Sequence, residues 1–170
     1  MGQNTGDLVE RLDWIGIMWR SDGTKLTGTY GTWRGREWEL DGSAPYNGKL
    51  TLIQDGGEQP GPDWKSTVYP NRFARTPLHF WKDVDAGEVS DVHSIKSTAM
   101  LDRHQVLVIA EDDGERLAVQ TLGQMAFATM RRYMDQFGFE RYENAFVFGW
   151  VEPHALRDLN IERTERAGTA

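Results

Sequence analysis

At 170 residues, with 39% apolar residues and seven Trp, five Tyr and seven Phe, the chain has the make-up of a packed globule, which excludes intrinsic disorder. A net charge of −7 argues against a non-specific grip on nucleic acid or an anionic membrane, because both need a basic surface. The absence of cysteine excludes disulfides, thiolate metal sites and thiol nucleophiles together.

The opening residues, Met1 to Leu8, lack the basic and apolar regions of an export signal. No run approaches the roughly 20 apolar residues of a spanning helix, so a soluble, cytoplasmic protein is expected. Within 1–25, Thr5 or Asp7 can cap a short helix with Leu8, Leu12 and Ile15 on one face, while Trp14 to Trp19 fits a strand equally well. Leu26 to Trp33, rich in Thr and aromatics, predicts a strand. After Arg34-Gly35, the order Glu37, Trp38, Glu39, Leu40 puts Trp38 and Leu40 on one face and the acids on the other. Asp41-Gly42 and Asn47-Gly48 signal hairpins, and Lys49 to Gln54 is the next strand, with Leu50 and Leu52 inward. Asp55 to Asn71 carries three glycines and three prolines, a surface loop that cannot sustain a helix or a central strand. Leu78 to Val84, Ser97 to Leu101 and His104 to Glu111 are strands, the last expected to be buried on both faces because it is almost continuously apolar. Asp113-Gly114 turns the chain into Arg116–Leu122. Gln124 to Phe137 predicts a helix with Ala126, Met130, Tyr133, Met134 and Phe137 on one face and Gly138 as its C-cap. Ala145 to Val151 is the last strand, with Phe146, Phe148 and Trp150 alternating against Val147 and Gly149, and 161–170 is a charged tail expected to fray.

Val84 to Val92, V-D-A-G-E-V-S-D-V, returns as Val151 to Leu159, V-E-P-H-A-L-R-D-L, at an offset of 151 − 84 = 67. The same offset lays Leu50 and Leu52 over Leu117 and Val119, and 68 lays Trp33, Trp38 and Leu40 over Leu101, Val106 and Val108. The expected fold is therefore α+β within a single domain. Two tandem pseudo-repeated antiparallel β units, 26–92 and 93–160, share one core, and the second carries the one main helix. Where the second unit has that helix, the first has the Gly/Pro loop, a break in the local rule that invites a functional reason.

No catalytic, cofactor or metal motif stands out. His79, His93, His104 and His154 are not spaced with carboxylates as ligands are. His79 reads as a half-buried packing residue and His154 as solvated. The pairs Glu37/Glu39, Asp112/Asp113 and Glu140/Glu143 read as solvated strand faces and turns. No G-x-S-x-G elbow and no phosphate-cradling glycine loop follows a strand. The best interaction site is the loop. Gly56, Gly57 and Gly61 let backbone approach a surface, Pro60 and Pro62 limit its ordering entropy, Gln59 and Asp63 are polar contacts, and Trp64 offers an anchor. Tyr30, Trp33, Trp38, Phe80, Trp81, Phe146, Phe148 and Trp150 fall on strands, as core or as the lining of a pocket.

Gly31-Thr32-Trp33-Arg34-Gly35 resembles the opening strand of nitrobindin-type small β-barrels and, more loosely, the lipocalin G-x-W, whose Trp closes the barrel floor. The match covers five residues and leaves His154 as the only candidate for the C-terminal haem-ligating histidine. Over the whole chain, "W-R-G-R-x-W-E-L … N-G-K-L-T-L" followed by "V-D-x-x-E-V-x-D-V" resembles small acidic actinobacterial immunity proteins paired with NAD-glycohydrolase toxins of the necrotizing type. That resemblance implies a non-enzymatic antitoxin that inserts a glycine-bearing loop, here Gly56, Gly57, Gly61 and their neighbours, into the cleft of a toxin basic around its active site. A ligand-binding or enzymatic β-barrel with an aromatic-lined pocket is the alternative. Neither reading involves a cofactor, nucleic acid or a membrane.

Overall fold

A computed structural model describes residues 26–68, 78–111 and 116–166. The proposed N-terminal helix or strand, the Asp113-Gly114 turn and the end of the Gly/Pro loop, 69–71, lie outside the described residues. The chain is rich in antiparallel β-structure and has one α-helix among the described residues. No helix among them is long and apolar enough to cross a membrane.

Two compact units divide the chain, the first built on Gly28–Ser94 and the second on Ile95–Glu162. In the first, β1 (Gly28–Trp33), β2 (Arg36–Leu40), β3 (Lys49–Asp55), β4 (Lys65–Val68), β5 (Leu78–Asp85) and the start of β6 (Val89–Leu101) hydrogen-bond in the order β4-β5-β3-β2-β1-β6. The register Gly31↔Trp38, Leu40↔Leu52 and Leu50↔Val84 carries one set of alternate side chains onto a single face. There Trp33, Trp38, Leu40, Leu50, Leu52, Trp64, Phe80, Val84, Val89 and Val92 form the core. Gly31 is needed on that face, because a Cβ there would lie 2.7 Å from Val89 Cγ1.

The second unit holds the rest of β6, β7 (His104–Glu111), β8 (Leu117–Thr121), the helix α1 (Phe127–Phe137), β9 (Glu140–Tyr142) and β10 (Phe146–Val151) in the order β6-β7-β8-β10-β9. The last strand, β11 (Leu156–Glu165), pairs with β6 off that path. Helix α1 starts at Phe127, not Gln124, with no side chain capping its N-terminus, and it ends as expected at Gly138, whose N–H donates to Met134 O at 3.0 Å. It buries Met130 and Tyr133, and the Tyr133 hydroxyl donates to Leu101 O at 2.6 Å.

Several expectations change. The segment 161–170 is not wholly a frayed tail: β11 continues through Glu165, the Arg163 guanidinium donates to Asp91 at 2.6 Å, and Arg166 N–H donates to Val92 O at 3.1 Å. Its charges gave no hint of that, since a strand edge can be held by backbone alone. Strand β7 is not fully buried on both faces: Val106 and Val108 are buried while Leu107 and Ile109 keep partial exposure. In β10 the buried residues are Val147 and Val151, and the aromatics Phe146, Phe148 and Trp150 stay partly exposed. Gly149 admits Phe139, whose Cδ1 would stand 2.4 Å from an added Cβ. The acids are not all solvated either, since Glu39 and Glu111 are buried.

Gly149→Ala is expected to lower unfolding free energy by about 1–3 kcal/mol through overpacking against Phe139, measured by urea denaturation. Burial, and secondarily the Asp102 charge, raises the Tyr133 hydroxyl above its ordinary value near 10. A raised folded value means its stabilisation is complete below about pH 10 and is lost as pH climbs through the folded value. Urea midpoints taken from pH 8 to 11.5 should therefore fall more steeply in the native chain than in Tyr133→Phe.

Candidate functional site

The loop between β3 and β4, residues 56–64, is folded down onto the sheet of its own unit. Gly56 and Gly57 open it with successive left-handed conformations, φ 74° and 75°, which glycine adopts without steric cost. The Gln54 side-chain amide donates to Gly56 O and Glu58 O, each at 2.9 Å, and the Gln59 amide donates to Trp64 O at 2.9 Å. Trp64 then packs on Trp38 with ring centroids 5.0 Å apart and a 36° tilt. It is 7% exposed, so Trp64 is not an anchor offered to a partner but the residue that fastens the loop to its own sheet. The end of the expected loop is an edge strand, β4, paired with β5 from Lys65↔Trp81 to Val68↔Leu78. Its prolines, Pro60 and Pro62, lie before that strand and do not interrupt its ladder.

Loop and sheet enclose an open concavity of about 640 Å³. Trp33, Trp38 and Trp64 form its aromatic floor, and Glu58, Gln59, Pro60, Gly61 and Asp63 its loop wall. Arg34, Arg36 and Lys82 supply the positive charge. Of the residues expected at a binding site, Gln59, Gly61, Asp63 and Trp64 are brought together here, while Gly56 and Gly57 serve the turn behind the wall.

Sequence reasoning missed the sheet's contribution. Trp33↔Arg36 is a cross-strand pair closed by Arg34-Gly35, both at positive φ, 51° and 76°. A left-handed conformation at arginine is strained by about 1 kcal/mol or more, and such strain gathers at functional sites. The Arg34 guanidinium lies 4.3 Å from the Trp33 ring centre and that of Arg36 3.9 Å from Trp38. Lys82, placed by the pairing Leu52↔Lys82, forms an ion pair with Asp63. The indole N–H groups of Trp33 and Trp38, residues 8% and 7% exposed, are buried and have no hydrogen-bond partner among the described residues. The signal was present in W-R-G-R-x-W, where a tight turn sets two arginines against two tryptophans.

On the opposite sheet face, His79 Nδ1 lies 2.8 Å from the Asp55 carboxylate, which is fully buried, so His79 is more than a packing residue. His154 is exposed in a short 3-10 turn, Pro153–Ala155. No group of three or more His, Asp or Glu suited to a metal occurs among the described residues. Comparison with protein families, with curated proteins and with solved structures finds no match to this chain.

Trp64→Ala is expected to cost about 3–5 kcal/mol, the range for emptying a buried aromatic site, and to release the loop. Urea denaturation gives the first quantity. Faster amide exchange at 56–64 reports the second.

Proposed function

We propose that the chain is a non-enzymatic binding protein whose recognition site is the concavity of the first unit. One observation carries this reading: Arg34 and Arg36, stacked on Trp33 and Trp38 and without a carboxylate partner among the described residues, line a hollow beside the loop. Guanidinium donors held in place without a protein acceptor suit a guest that accepts hydrogen bonds. The size is within the few hundred to about 1,000 Å³ of ordinary ligand sites.

Taking the two units as copies of one repeat supports the reading. Gly31↔Trp38, Leu52↔Lys82 and Leu50↔Val84 in the first unit match Ala99↔Val106, Val119↔Gly149 and Leu117↔Val151 in the second, at offsets of 67 or 68. The 3-10 turns Ala86–Glu88 and Pro153–Ala155 match at 67, as do Asp91 and Asp158, at φ 52° and 55°. Under that correspondence Trp33, Trp38 and Lys82 become Leu101, Val106 and Gly149, and the second unit closes over these positions with Tyr133 and Phe139. The same face is filled by apolar packing in one unit and kept hollow and cationic in the other. A superposition pairing Trp38 with any residue but Val106 would end the repeat reading.

The toxin-neutralising reading is the more specific form of this proposal. Because loop 56–64 is latched to its own sheet, the partner's segment would enter this concavity, in place of the loop entering the partner. Its own signature is a captured protein partner whose activity falls on binding.

A fragment screen followed by two-dimensional NMR tests the general proposal. Binding shifts are expected to cluster on Trp33, Arg36, Trp38, Gln59 and Lys82. Fragments that bind only elsewhere, or none at all, would refute it.

A further inference from the structure

Resting on that reading, we infer that the concavity recognises an oxyanion, a carboxylate or phosphate group on a small ligand. The polar groups that face it are mostly donors. Arg34 and Arg36 have no carboxylate partner among the described residues, and their only contacts are with the Trp33 and Trp38 rings. Stacking on an indole holds a guanidinium in place while leaving its five N–H donors to point elsewhere, which suits planar, bidentate recognition of an oxyanion.

Charge supports the same assignment. Three cations, Arg34, Arg36 and Lys82, face two carboxylates, Glu58 and Asp63, and Asp63 is already paired with Lys82. The concavity is thus locally positive in a chain of net charge −7, which favours an anion at this place. The indole faces of Trp33 and Trp38 are covered by the arginines, and that of Trp38 also meets Trp64, so base-like stacking on an open indole is not what the floor offers. Hydrogen-bond donation from guanidinium forks is.

The test uses the full chain labelled with 15N in its Trp indoles, with the Trp33 and Trp38 signals assigned from Trp33→Phe and Trp38→Phe. It is titrated separately with phenyl phosphate, benzoate and neutral benzamide. The expected result is a saturable shift of the indole signals of Trp33 and Trp38, the rings that carry Arg34 and Arg36, with at least one anion and none with benzamide. Binding should weaken about tenfold or more in Arg34→Gln and in Arg36→Gln. Both positions are exposed, and an unchanged melting temperature confirms that these variants fold. Arg36→Lys, which keeps charge and loses the fork, should weaken binding less than Arg36→Gln. The tighter of the two anions tells carboxylate from phosphate. Benzamide binding as well as the anions, or unaltered affinity in both Gln variants, overturns the oxyanion assignment and leaves the binding site standing. No shift with any of the three probes also overturns it, and the fragment map then decides separately whether the concavity binds anything.

Discussion

The contact between Trp64 and Trp38 sets the form of the first unit's concave face. A loop of nine residues, 56–64, has little regular hydrogen bonding of its own, and without a buried side chain its conformational entropy would leave it open. Trp64 supplies that side chain, and an aromatic pair at 5.0 Å adds about 0.5–1.5 kcal/mol beyond its area burial. Gln54 and Gln59 then satisfy loop carbonyls that would otherwise compete for water. The result is a wall standing beside the sheet at a fixed distance, so that a hollow is left where the neighbouring strands carry Trp33, Arg36 and Lys82.

That hollow joins features that would be costly apart. Exposed arginines over indoles gain only about 0.5–1 kcal/mol each from the ring, yet the contact orients them. The Arg34-Gly35 turn holds arginine at a positive φ where asparagine or glycine would be the unstrained choice. Buried indole donors stay unpaired beneath. The turn and the stacked arginines line one concavity.

The second unit shows the contrasting solution. Tyr133 reaches a backbone carbonyl of Leu101 through its hydroxyl, and Phe139 fills the space that Gly149 leaves. Helix α1 buries Met130 and Tyr133 in its own unit, while the first unit's loop brings down Trp64 and leaves a hollow beside it.

Strand positions and their inward faces were legible because period-two alternation is local: Trp38, Leu40, Leu50 and Leu52 lie on the core face, and Gly138 closes the helix as read. The absence of cysteine and the acidic balance are likewise properties of the chain itself. The burial of Trp64, the pairing of charged β11 with β6, the Asp55–His79 contact and the meeting of Arg34 and Arg36 with Lys82 were not legible. Each depends on which strands become neighbours, and pairing between distant segments leaves no periodic trace in either one. The sequence by itself determined strands β1, β2, β3 and β5, the inward faces of β2 and β3, and the break in regular pattern after Asp55. Only the tertiary structure decided that the loop folds back upon its own sheet, because that depends on a Trp–Trp contact across 26 residues of chain, 64 − 38, whose energy exists only once the sheet has formed.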